Sequence, residues 1–321
     1  MGRSIRLSLS ALLAALVLAA CGGGTSDSST LSPSAATAAT NDPSAPQATG
    51  DTATDGFNWF NFRRAQLGLA AMTRNGKIDV ASLGHSNYQK INNVITHEQT
   101  QGNSGFTGVQ VSDRLAAAGY ALPHDNYAYG EVISSTSSTS GFKAAEDLIA
   151  AIYHRFLVFE PMFKEAGAGA ASVNGGSTYF TSDFAAIGLD AGLAHAGVVT
   201  YPFPEQQRVP VNFFSDNESP DPVPDRNEVG YPISVHANIV STVLVDSFSV
   251  RPRGGADVPV QLIVGAANPK TPAVAVDSHA SPSAAAIIPL SPLAHGTTYD
   301  VQFAGTIDGV PVSRSWSFTT Q

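Results

Sequence analysis

The chain has 321 residues and 33.2 kDa, enough for about two domains with tails. Its 17 basic and 26 acidic residues give a formal charge of -9 and a pI near 5.2, which excludes a protein built chiefly to neutralise nucleic-acid phosphates. Charged residues are only 13%, with 29 Gly and 20 Pro, so a coiled coil or charged helical bundle is excluded in favour of a loop-rich chain with β-sheet. One cysteine permits neither an intramolecular disulfide nor a Cys-based zinc finger.

Arg3 and Arg6 precede an apolar run from Leu7 to Leu18, the charged and apolar regions of an export signal over residues 1–20, too short to span a bilayer comfortably. The run ends in Leu18-Ala19-Ala20-Cys21, which resembles the bacterial lipobox. The resemblance implies cleavage before Cys21 and acylation of that residue, hence an extracytoplasmic protein anchored to a membrane by its N-terminal lipid. Once Arg3 and Arg6 leave, 15 basic residues face 26 acidic ones, and no polybasic patch assists the lipid. Gly22 after Cys21 is compatible with sorting to an outer membrane. Residues 21–56 are almost wholly Gly, Ser, Thr, Ala, Pro, Asp, Asn and Gln, the composition of a flexible tether.

Aromatic and aliphatic residues begin at Phe57. Four helices are predicted before His195: Asn58 to Leu69, Asp79 to Asn93, Ser112 to Ala118 and Phe142 to Tyr153. In the second, Asp79 is a candidate N-cap and Val80, Leu83, Asn87, Ile91 and Val94 recur at three- and four-residue spacing as an apolar stripe. In the third, Ser112 and Gly119 read as N-cap and C′ residue. Asn126 to Ser134 and Ser177 to Phe184 read as strands, so the class is α+β, with helices covering a sheet.

Prolines recur from Tyr201 to Pro232 among the acids Asp216, Glu218, Asp221, Asp225 and Glu228. Residues 196–232 therefore read as a solvated acidic linker, without the Asp-x-Asp-x-Asp-Gly order of a calcium loop. After Ile233, β-branched and aromatic runs follow: Ile239 to Val250, Val258 to Val264, Ala284 to Pro289 and Thr298 to Thr320. The last is a predicted hairpin reversing at Asp308-Gly309. Residues 233–321 are expected to form a small all-β sandwich, and the ending Thr298-Tyr299-Asp300-Val301 with Trp316-Ser317-Phe318-Thr319-Thr320 resembles the last strands of bacterial immunoglobulin-like modules.

Several catalytic motifs fail. Gly84-His85-Ser86-Asn87 lacks the second glycine of a nucleophile elbow, because Tyr88 stands there, and it lies in a predicted helix. His97-Glu98 begins like a zincin helix, but Gln101 replaces the second histidine. No phosphate-cradling or dinucleotide-binding loop is present.

What remains is an ordered series: Asn61, Arg63-Arg64 and Gly68-Leu69; Ala81 to His85-Ser86; His97; Asp113-Arg114 with Gly119-Tyr120; Gly130-Glu131; His154-Arg155; Pro161 to Gly167-Ala168-Gly169; and Tyr179 to Asp183-Phe184. The series resembles the CAP superfamily (cysteine-rich secretory proteins, antigen 5 and pathogenesis-related proteins; also SCP-like) over residues 57–195. The resemblance implies an α-β-α sandwich around a cleft with two histidines and one or two acids that in many members bind a divalent metal. The matching positions are His97, His154 and Glu131. Glu98, Glu146 and Asp147 are the acids near a fourth position, Val132 replaces the usual Asn after Gly-Glu, and the tryptophan often preceding the second histidine is absent.

Two imidazoles and a carboxylate suit one zinc or other divalent ion with an open coordination position, and the carboxylate equally suits orienting a histidine or acting as a general base. Without the resemblance, His154 reads as a histidine at a helix C-terminus and Glu131 as a structural acid; His85 reads as structural, and His124 and His195 as exposed. The expectation is an extracytoplasmic, lipid-anchored protein binding a metal or an extracellular, lipid or cell-envelope ligand in the His97/Glu131/His154 cleft, with no nucleic-acid partner. One alternative is a metal-dependent hydrolase with Glu131 activating water. The other is a surface interaction module acting through the C-terminal sandwich.

Overall fold

The computed structural model describes residues 44–321 and a three-residue strand, Arg6–Ser8 (β1). Cys21, the rest of the export signal and most of the expected tether lie outside the described residues.

The fold begins before Phe57. Ala45 is buried in the core, Thr49 donates to the Asp55 carboxylate through its backbone N–H and its hydroxyl, both at 2.8 Å, and Asp51 caps helix α1 (Thr52–Gln66) by accepting from Thr54 N. These small polar residues carry no apolar signal, and hydrogen bonds fix them instead. Strand β2 (Thr73–Arg74) precedes α2 (Gly76–Asn92), whose N-cap is Asn75 rather than Asp79; the Asp79 carboxylate pairs with Arg74 and accepts from Ala168 N. Helix α3 (Val111–Ala117) is capped by a Gln110–Asp113 box, and Gly119 follows at φ +80°. Strand β3 (Tyr127–Thr136) leads to α4 (Gly141–Ala150) and α5 (Ile152–Val158). The single helix expected through Tyr153 breaks at Ala151, whose ψ of 119° is extended, so His154 lies in a first helical turn and not a last one. Strands β4 (Glu165–Ser172) and β5 (Thr178–Ile187) follow.

These strands form a sheet ordered β1-β3-β5-β4-β2. Alternation sorts its side chains. Ala128, Val132, Phe180 and Phe184 join the core that holds Trp59 and Phe60 of α1 and Ala145, Leu148 and Ile149 of α4, whereas Tyr129 and Ala185 pack with Ile78 and Ala81 of α2 and Leu115 of α3. Successive residues of a strand face opposite sides, so helices cover both faces. Helix α2 lies directly on β4 because that strand offers glycines: a Cβ at Gly167 would meet Asp79 N at 2.3 Å, and one at Gly169 would meet Leu83 N at 2.2 Å.

The apolar stripe expected to bury α2 faces outward. Val80 is 60%, Leu83 45% and Ile91 57% exposed, while Ser82, His85, Ser86 and Gln89 join Ile78, Ala81 and Tyr88 inside. The inward polar groups are satisfied by the sheet and the following loop; Ser82 Oγ donates to Asp183 at 2.7 Å and Ser86 Oγ to Gly169 O at 3.0 Å.

Residues 196–232 do not form a solvated linker. They supply β6 (Val199–Tyr201), β7 (Gln206–Val209), β8 (Asn212–Phe214) and β9 (Glu228–Gly230). After them come β10 (Ile233–His236), β11 (Val243–Pro252), β12 (Val260–Val264), β13 (Ala284–Pro289), β14 (Thr298–Ile307) and β15 (Val310–Thr320). Two four-stranded sheets result, ordered β12-β13-β10-β6 and β11-β14-β15-β7, so the proline-rich segment provides an edge strand to each. The β14–β15 hairpin turns at Asp308 (φ 53°) and Gly309 (φ 81°), the two positive values of a type I′ turn. Val235 and Ile287 of one sheet and Val250, Val301 and Phe318 of the other share a cluster with the helical half. Arg155 crosses the junction, donating to Ile149 O and Pro232 O, with its guanidinium 4.9 Å from the rings of both Tyr201 and Tyr231. No helix of the described residues is long and apolar enough to cross a membrane.

Candidate functional site

Glu131 sits on β3 directly after Gly130, where any Cβ would strike Leu157 of α5 at 2.8 Å. That close approach on one face places Glu131 on the other, toward α2 and α3. His97 comes from the loop after α2, and its Nδ1 lies 2.9 Å from Glu131 Oε1. Arg114 of α3 donates to Glu131 Oε2 at 2.6 Å and, through Nη1, to His97 O at 2.9 Å, so one guanidinium holds both the acid and the loop that carries its partner. Gly108 permits this approach, because a Cβ there would lie 2.8 Å from Arg114 N.

His85 completes the floor. Its Nε2 is 2.7 Å from Thr96 O and its Nδ1 3.0 Å from Gln99 Nε2, a pairing in which Nε2 carries the proton and Nδ1 accepts. Burial lowers its pKa more than Glu131, with Nε2 3.8 Å from Oε1, raises it. It is fully buried, with both ring nitrogens hydrogen-bonded. For Glu131 burial alone would raise the pKa, but Arg114, then His85 and His97, hold it well below the usual carboxylate range. Asp183, opposite Glu131 in the β3–β5 register, goes the other way: burial first and the Glu131 charge second push it well above that range.

The outcome is an anionic carboxylate, 1% exposed, that orients a histidine 24% exposed. Glu131 accepts the Nδ1 proton and Nε2 of His97 has no protein partner among the described residues, so Nε2 is an acceptor open to solvent.

His154 does not join this group. Its Nδ1 lies 3.1 Å from Glu218 Oε1, and Glu218, buried in the segment expected to be a linker, also accepts from Ile152 N and Tyr153 N at 2.7 Å each. The carboxylate thus caps α5 from 66 residues away in sequence. The structure brings His97 and Glu131 together and gives His154 a separate acid. Of the acids weighed for a fourth position, Glu146 is paired with Arg63 and Trp59, Asp147 with Lys143, and Glu98 with Gln110. Arg114 and Asp183 were visible only as members of the motif series, and Glu218 had no signal beyond its charge.

The donor set does not fit a divalent metal. Both Glu131 oxygens are committed, one to His97 and one to a guanidinium that would repel a cation, and the second histidine is bound elsewhere. Among the described residues no group of three or more His, Cys, Asp or Glu side chains is placed to hold a metal ion.

No protein-family profile and no curated protein matches the chain. Several solved structures are similar to parts of it, two of them as follows. An extracellular protein containing an SCP domain from Bacillus anthracis is 19% identical with a TM-score of 0.36, covering 44% of this chain and 45% of that one; the chain thus spans less than half of that protein. An outer surface protein from Borrelia burgdorferi is 11% identical with a TM-score of 0.35, covering 41% of this chain and 89% of that one.

Proposed function

We propose that the chain is an extracytoplasmic CAP-like protein, anchored to a membrane through acylated Cys21, that binds an extracellular ligand at His97. The motif series from Asn61 to Asp183 and helices on both faces of the β3–β5–β4 sheet support the family reading. The observation that carries the function is the His97–Glu131 pair at 2.9 Å with Arg114 behind it: an imidazole held in one tautomer, with its free nitrogen facing out, accepts a hydrogen bond from a ligand hydroxyl or amide. The same pair has the form of a general base and its orienting acid. Among the described residues no Ser, Thr or Cys side chain hydrogen-bonds to Nε2, and this favours binding over a nucleophilic hydrolase. Glu131 is too enclosed to activate water itself, so the metal-hydrolase reading loses its base as well as its ligand set.

The test is a ring-¹⁵N spectrum of the folded protein titrated with cell-envelope peptides, glycans and lipids. A ligand is expected to shift His97 Nε2 and to lose its affinity in His97→Ala. In parallel, equilibration with zinc followed by dialysis is expected to leave no zinc that depends on His97 and His154. About one equivalent in wild type and none in the His97→Ala/His154→Ala double variant would overturn the metal-free reading.

A further inference from the structure

Helix α2 carries apolar side chains on its outward face as well as on its inward one. Its inward face carries Ile78, Ala81 and Tyr88 among Ser82, His85, Ser86 and Gln89, and its outward face carries Val80, Leu83 and Ile91, with Ile95 just beyond at 62% exposed. At 100° per residue Val80, Leu83, Asn87 and Ile91 fall on one stripe. Aligned apolar side chains exposed on a helix mark a surface that meets something other than water.

Two observations identify the occupant. The first is where the chain enters the fold. Past Ser44 and the buried Ala45 the chain runs beside this face, where Gly50, Asp51 and Thr52 line a groove of about 360 Å³ together with Val80 and Leu83. Residues 22–43 reach at most about 75 Å at full extension, and a fold held that close to a bilayer has a high effective concentration at its surface. The second is charge. In a mature chain of 15 basic and 26 acidic residues, α2 bears exposed Lys77 and Lys90, and its one acid, Asp79, is paired with Arg74 at 3.0 Å. An apolar stripe rimmed by lysines is the pattern of a helix lying in a headgroup layer, where the lysine heads reach the phosphates while the apolar face sinks in.

We propose that the outward face of α2 is a bilayer-docking surface: Val80, Leu83 and Ile91 enter the headgroup–acyl boundary of the anionic membrane to which Cys21 ties the chain. This rests on the lipid-anchor reading above. Docking here would turn the polar face of α2, and the His97 loop that follows it, into a layer fixed relative to the membrane plane.

The test uses the full-length protein purified from a producing bacterium and reconstituted into phosphatidylcholine/phosphatidylglycerol vesicles, with Asn87→Trp as a reporter in the middle of the stripe. Native Trp59 and Trp316 are buried and supply the baseline, recorded without Asn87→Trp. Mass spectrometry of the N-terminal peptide establishes whether Cys21 is acylated. With acyl chains present, the reporter is expected to shift to shorter wavelength and to be quenched by lipids brominated on their acyl chains. Adding Val80→Ser, Leu83→Ser and Ile91→Ser is expected to abolish both effects while circular dichroism stays unchanged. An acylated protein whose reporter stays at the water-exposed wavelength overturns the docking and spares the anchor. A blue shift without bromine quenching shows a protein cover, from a second copy or from residues 22–43, and also overturns it. Absence of acyl mass at Cys21 overturns the anchor reading itself, and the docking with it.

Discussion

Glu131 and Asp183 face each other across β3 and β5, fully buried, and their carboxyl pKa values are driven in opposite directions. Arg114 compensates the Glu131 anion, while burial first and that charge second raise the Asp183 carboxyl well above its ordinary range. Asp183→Asn replaces a neutral acid by a neutral amide of the same shape and is expected to change the unfolding free energy by less than about 1 kcal/mol at pH 7. Glu131→Gln leaves a buried guanidinium without its counter-charge and is expected to cost about 3 to 5 kcal/mol. Urea unfolding of the two variants checks this; equal large losses would mean that Asp183 is also ionised.

Glu218 is the cap of α5. Removing its carboxylate leaves Ile152 N and Tyr153 N buried without acceptors, so Glu218→Ala is expected to cost about 2 to 4 kcal/mol. Because Glu218 and α5 lie on opposite sides of the expected domain boundary, calorimetry should show the whole transition moving down. A separate early transition for the β-rich half would contradict that coupling.

Two glycines, Gly169 of β4 against α2 and Gly84 of α2 facing Thr107, predict opposite signs. Gly169→Ala drives a methyl into Leu83 N, a backbone atom that cannot turn aside, and is expected to destabilise by about 1 to 3 kcal/mol or more. Gly84, inside α2, would place its methyl 3.5 Å from Thr107 Cγ2, an ordinary contact, so Gly84→Ala is expected to stabilise by roughly 0.5 to 1 kcal/mol through helix propensity. Melting temperatures of the two variants should fall on either side of wild type.

Glu160 gives a pH signature. Burial, against the Met162 and Ile239 N–H donors and Arg64, pushes its carboxyl up to about 8. Between the ordinary carboxylate range and pH 8 the native state therefore holds a proton that the unfolded chain has lost, and stability falls as pH rises through that window. Glu160→Gln keeps an acceptor for both N–H groups without the ionisation. Its stability relative to wild type is expected to rise by a few kcal/mol in order of magnitude from pH 5 to pH 8 and to level off beyond, as read by denaturant titrations across that range.

The legible parts of the sequence were those where a local rule coincides with the tertiary demand. Asp308-Gly309 reversed the last hairpin because only those two positions need positive φ, and Gly130-Glu131 put an acid on a strand of the first sheet. Helix α2 misled because periodicity reports which residues share a face and not which way that face points; here hydrogen bonds to Asp183, Gly169 O and Gln99 outweigh apolar burial. Strand β4 was unreadable as a strand because its Gly and Ala residues suit the approach of α2 rather than β propensity. His154 was drawn toward the cleft by the family resemblance, and its acid, Glu218, comes from a segment whose prolines and charges concealed both a helix cap and two edge strands.

The placement of residues 199–232 bears on how such a protein can be recombined. A joint at residue 233 would transplant two sheets each stripped of an outer strand and leave β6 and β7 behind with the helical half. A joint before Val199 keeps the sheets whole but parts Glu218 from Ile152 and Pro232 from Arg155. Inherited or engineered, the two halves exchange only as a matched pair, and a chimera will fold to the extent that its new partner offers a carboxylate where α5 begins.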